Sequence, residues 1–115
     1  MVLYRAEILS LRGSFGSGMA SLTVKLPNGS TRVIHGDNGP LIRALDQAYD
    51  IIGPRRWSFG LRTRRGRGHT VDTSNLTGQV IYYWLDDMGL CIGGFIPESD
   101  FDRDMFLDKG YTIEE

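Results

Sequence analysis

Residues 20 to 35 constrain the fold of this chain more tightly than any other stretch. Leu22, Val24 and Leu26 alternate with Ser21, Thr23 and Lys25, and Pro27-Asn28-Gly29-Ser30 follows at once. A period of two sends successive side chains to opposite faces of a strand, and Asn-Gly accepts the positive φ that a tight reversal demands. The segment is therefore read as a β-hairpin. A two-residue turn sets Val24 opposite Val33 and Leu22 opposite His35, which puts His35 on the apolar face. A three-residue turn with Gly29 as a bulge shifts that register.

The hairpin leads into a helix signal. In Asp37-Asn38-Gly39-Pro40 an Asx side chain can accept from free N–H groups, and proline fits a first turn where no donor is needed. Leu41, Leu45, Ala48 and Ile52 recur at helical spacing, flanked by Ile42 and Tyr49, while Arg43, Asp46, Gln47 and Asp50 form the outer face. Gly53-Pro54 stops the helix, giving an expected span of about 40–52.

The flanks read mainly as strands. Residues 2 to 12 place Tyr4, Ala6 and Ile8 on one face and Arg5 and Glu7 on the other. Gly13, Gly16 and Gly18 then make a connection; a phosphate loop would need a helix N-terminus next, and a strand follows instead. Val80 to Leu85 and Leu90 to Ile96 form a second hairpin around Asp86-Asp87-Met88-Gly89, with Gly93-Gly94 weakening or bulging its second arm. Tyr82, Tyr83 and Trp84 cannot all face one core, so one aromatic needs cover from the loop, a short helix or a second subunit. Ser99 or Asp100 is expected to cap a short helix carrying Phe101, Met105 and Phe106, closed by Lys109-Gly110, with an edge strand at Tyr111 to Ile113. The sum is a single α+β domain over residues 1–115. A mostly antiparallel sheet of about five strands carries one main helix and a short C-terminal one.

Composition agrees with one core and narrows the chemistry. The 115 residues are 41% hydrophobic, enough for a packed interior. A single cysteine, Cys91, leaves no internal disulfide and no cysteine zinc cage. No run approaches the roughly 18 apolar residues of a membrane span. Arg5 and Glu7 interrupt any signal-peptide core, so the expected setting is cytoplasmic, without a membrane partner.

The net charge of −1 conceals a steep gradient. Residues 1 to 54 carry +1, residues 55 to 67 carry +6, and residues 68 to 115 carry −8. The basic segment, RRWSFGLRTRRGR, sets Arg55, Arg56, Arg62, Arg64, Arg65 and Arg67 among Trp57, Phe59 and small residues, inside a long connection spanning 54–78. Guanidinium groups grip phosphates bidentately, aromatic rings stack on unpaired bases, and glycine lets backbone follow a groove. These eight residues are the candidate site, suited to RNA or single-stranded DNA. An alternative assigns the same residues to protein association, in which they meet an acidic partner or the acidic half of a homodimer.

Other constellations carry less. Glu98-Ser-Asp100-Phe-Asp102-Arg-Asp104 suggests alternate calcium ligands, but the sixth loop position is Met105 and the twelfth Tyr111, where glycine and glutamate belong. His69, Asp72 and Ser74 offer hydrolase vocabulary without a nucleophile elbow, and Cys91 lies in an apolar strand without an evident base. No cofactor motif is present. These readings favour a binding module over an enzyme.

Overall fold

The computed structural model describes residues 1–13, 18–51 and 73–115. Among these, β1 (Val2–Arg12), β2 (Met19–Lys25) and β3 (Thr31–Asp37) form an antiparallel meander, followed by α1 (Asn38–Tyr49). Then come β4 (Val80–Leu85), β5 (Ile92–Pro97), the short α2 (Arg103–Asp108) and β6 (Thr112–Glu114). The sheet order is β3-β2-β1-β4-β5. Three hairpin-linked strands with the fourth returning beside the first is a Greek key. The fold class is thus the α+β arrangement read from the sequence.

The sheet curls until its edges touch. β1 makes this possible by serving two neighbours: Tyr4 to Glu7 pair with β4, and Glu7 to Arg12 pair with β2 across a bulge between Ile8 and Ser10. His35 of β3 and Cys91, just ahead of β5, then form a single parallel bridge. Gly36 permits the closure, since a Cβ there would stand 2.7 Å from Ile92 Cγ2. The result is a five-stranded, partly open barrel. Its interior holds Ala6, Ile8, Leu22, Val24, Ile34, Ile81 and Tyr83, with Leu41, Ile42 and Leu45 of α1 packed against them.

The first hairpin adopts the three-residue turn. Gly29 N–H donates to Leu26 O at 2.9 Å, Leu26 N–H donates to Ser30 O at 2.8 Å, and Gly29 has φ +89°. Leu22 therefore pairs with Ile34, and Ser21 with His35. This corrects the expected pairing of Leu22 with His35: the extra turn residue carries His35 to the exposed face.

The helix differs from expectation at both ends. Asp37 is the N-cap, yet its side chain makes no capping bond, and Asn38 is buried as the first helical residue. The helix stops at Tyr49, where Asp50 takes a left-handed conformation (φ 55°) and donates its N–H to Asp46 O. The buried stripe consequently runs Asn38, Leu41, Ile42 and Leu45, leaving Ala48 exposed; Ile52, Gly53 and Pro54 lie outside the described residues. Residues 73 to 78, expected to belong to the long loop, are ordered: Thr73–Asn75 form a 3-10 turn and Leu76 is fully buried.

A second layer covers one outer face. Tyr83 points into the barrel, so Tyr82 points out, yet it is only 3% exposed. Phe101 stacks on it with ring centroids 3.7 Å apart, and Phe106 and Tyr111 continue the stack at 5.2 and 5.6 Å. The chain's own C-terminal segment thus covers the aromatic run. The cap of α2 is Asp102, which accepts from Met105 N–H at 3.2 Å, rather than Ser99 or Asp100, which lie in or beside a preceding 3-10 turn. Beyond α2, β6 pairs in parallel with Val2 to Tyr4, on the β1 edge that β2 leaves free.

Tyr49 supplies a stability prediction. Its ring stacks on Phe95 at 6.5 Å, and its hydroxyl is buried without a hydrogen-bond partner among the described residues. Desolvation, assisted by Asp100, pushes the phenol up to about 12. An unfolded tyrosine ionises near 10, so this contribution to stability is complete below pH 10 and is lost as pH rises toward 12. Tyr49→Phe should flatten that alkaline fall. It should also raise stability by about 1 kcal/mol at neutral pH, measured by urea unfolding, because an unsatisfied hydroxyl is removed.

Candidate nucleic-acid interface

The eight candidate residues, Arg55, Arg56, Trp57, Phe59, Arg62, Arg64, Arg65 and Arg67, lie outside the described residues, as do His69 and Asp72. Their mounting is described. Ile51 and Leu76 are both fully buried, one on each side of the segment. Asn75 Nδ2 donates to Asp50 O at 3.2 Å, and Gln79 Nε2 donates to Asn75 O at 3.2 Å. Both ends of the arginine-bearing connection are thereby fastened to one place on the barrel.

Beside this mounting, the two halves of the barrel surface differ in charge. The C-terminal layer, residues 98–115, holds seven acidic and two basic side chains. Two of its carboxylates are paired with arginines: Glu98 Oε2 accepts from Nη2 of Arg5 in β1 at 2.8 Å, and Glu115 pairs with Arg103. Among the described residues, the outer face of β1, β2 and β3 has no such cover. Its pairs are Arg12 with Ser21, Ser10 with Thr23, Glu7 with Lys25, Ser21 with His35, Thr23 with Val33, Lys25 with Thr31, and Met19 with Asp37, so two carboxylates share the face with the two cations. Among the described residues Arg12 and Lys25 form no ion pair. Ser21 Oγ and His35 Nδ1 share a hydrogen bond of 3.3 Å. Small hydroxyl side chains lie between Arg12 and Lys25, with Glu7 and Asp37 toward the margins, giving a low, polar surface.

Arg32 lies on the other side of β3 from this face, in register with the buried Val24, at one end of the barrel interior. It donates from Nη1 to the Tyr83 hydroxyl at 3.3 Å, and its guanidinium lies 5.5 Å from the centre of the Tyr4 ring. Tyr4 in turn stacks on Tyr83 at 5.3 Å. Burial raises the Tyr83 phenol above its ordinary range, with Arg32 opposing. The arrangement holds a planar cation at a fixed place on the surface. The sequence reading missed Arg32; its place one residue from the hairpin turn was the available signal.

The remaining sequence candidates are dispersed. Asp102 caps α2 and Glu98 pairs with Arg5, so the acidic run has structural duties, and no three His, Cys, Asp or Glu residues among those described are placed to hold a metal. Ser74 sits in the 3-10 turn. Cys91 is half-buried at the barrel seam beside His35, a neighbour that sequence separation concealed. No helix among the described residues is long and apolar enough to cross a membrane. No family model, curated protein or solved structure matches this chain. What fold and surface define is a small Greek-key barrel with one acidic layer, one open polar face and a strongly basic connection.

Proposed function

We propose that this protein is a non-enzymatic binding module for single-stranded or structured RNA or single-stranded DNA, gripping phosphates through Arg55, Arg56, Arg62, Arg64, Arg65 and Arg67. Trp57 and Phe59 are the stacking residues. The observation that carries the reading is the concentration of six arginines and two aromatics, with no acid, in 13 residues of a chain whose net charge is −1. The barrel lends support. Partly open five-stranded Greek-key barrels include oligonucleotide binders that use the face of their second and third strands, and among the described residues no element lies over that face here. The plan serves other ligands too, so the arginines weigh more than the architecture. The acidic C-terminal layer repels phosphate and favours the opposite side for the strand.

The test is fluorescence anisotropy of a labelled mixed-sequence RNA at several salt concentrations. Six phosphate contacts on a single strand should give a log–log salt slope of about −4. Replacing Arg62, Arg64 and Arg65 with glutamine should abolish binding while the circular dichroism spectrum is unchanged. Undiminished binding by that triple variant would overturn the proposal, and so would an absence of binding at low salt, where the attraction is strongest.

One observation favours a second reading. The described residues carry seven basic and thirteen acidic side chains, almost the mirror of the +5 borne by the remainder. Self-association through that complementarity should appear in light scattering as a dimer that dissociates with salt and is absent from the same arginine variant.

A further inference from the structure

We propose that the groove between the chain's N-terminus and the β4–β5 turn binds arginine side chains of a basic peptide. The groove has a volume of about 800 Å³, and its lining includes Tyr4, Trp84, Asp86, Asp87 and Met88. Trp84 is the central feature. Its indole lies across two glycines of the neighbouring strand: a Cβ on Gly93 would stand 2.8 Å from Cδ1, and one on Gly94 would be 2.9 Å from both Cε2 and Cη2. Glycine weakens a strand, and two in succession here leave room for the ring to lie flat at the surface. A wide π face is thus presented to a groove rather than to the core.

The carboxylates have separate duties. Asp86 Oδ1 accepts from Leu90 N–H at 3.0 Å, and the turn's backbone amides hold its carboxyl below the usual range. Asp87 forms no hydrogen bond or ion pair with the described residues, so its carboxylate is free for a ligand. An aromatic face beside a free carboxylate recruits a cation. A guanidinium fits best: it is planar, stacks on indole, and presents a fork of donors to a carboxylate, whereas an ammonium is a compact point charge. A nucleobase would also stack on Trp84, but its phosphates would meet Asp86 and Asp87. Charge therefore selects the peptide.

The experiment uses full-length protein carrying Trp57→Phe, so that emission reports Trp84 alone. Tetra-arginine and tetra-lysine peptides are titrated at low salt. The expected result is a saturable change in Trp84 emission with the arginine peptide, at least about fivefold tighter than with lysine, since only arginine both stacks and forks. Asp87→Asn, at an exposed turn position, should weaken arginine binding about tenfold, the value of one charge-assisted contact. The proposal is overturned if emission shows no saturable change. It is equally overturned if both peptides bind alike and Asp87→Asn alters neither.

Discussion

Tyr83→Ala is expected to lower stability by about 4 kcal/mol, in the range of large-to-small changes at buried aromatics. In a domain of this size that corresponds to a fall in Tm of roughly 15–30 °C. Tyr83 has no exposed surface, sits opposite Tyr4 in the β1–β4 ladder, stacks on that ring and accepts a hydrogen bond from Arg32. Alanine removes the ring from the barrel interior and strips Tyr4 and Arg32 of their partner together. Tyr83→Phe separates these contributions. It retains the ring and loses only the hydroxyl, so its cost should be about 1 kcal/mol. Chemical denaturation of both variants checks the account: equal losses would mean that the hydroxyl contact, not the packed ring, holds this part of the barrel.

Tyr83 also shows how much of the fold could be read in advance. That Val80 to Leu85 is covered on both faces follows from its unbroken apolar and aromatic run. What covers the outer side does not follow, because the answer, Phe101 on Tyr82, belongs to a segment whose local pattern says only that a short helix is near. The same division recurs in the first hairpin. Pro27-Asn28-Gly29 announces the reversal, but the register depends on one turn residue, and that residue decides whether His35 faces the core or the solvent. Barrel closure was beyond local reading altogether. It rests on a single bridge between His35 and Cys91, with Gly36 in an otherwise ordinary strand as its trace in the sequence. Of the candidate site, the arginines are visible in composition alone, whereas Arg32 and the open β1–β2–β3 face emerge only from pairing.

Excising residues 52–72 in favour of a short Gly/Ser linker is expected to leave the barrel folded and to eliminate nucleic-acid binding. The folding half of this expectation rests on the flanks. Ile51 and Leu76 are fully buried in the core, and the bond from Asn75 to Asp50 joins the two ends of the excised stretch. Shortening the connection about fourfold lowers its closure entropy cost by about 1 kcal/mol, so the excised chain should unfold at the same denaturant concentration or slightly higher. The binding half rests on charge. The excised residues carry six arginines and one aspartate, so their loss takes the net charge from −1 to −6 and removes both proposed stacking rings. What remains is net acidic, and the cations near the β1–β2–β3 face, Arg12 and Lys25 with Arg32 at the barrel end, are too few contacts to hold a strand at physiological salt. Anisotropy on the excised chain thus separates two arrangements. Lost binding assigns the grip to the arginines, with the sheet face as a bed for the strand. Retained binding with a salt slope of about −2 would transfer the grip to the β1–β2–β3 face and leave the arginines free to meet a carboxylate-bearing partner.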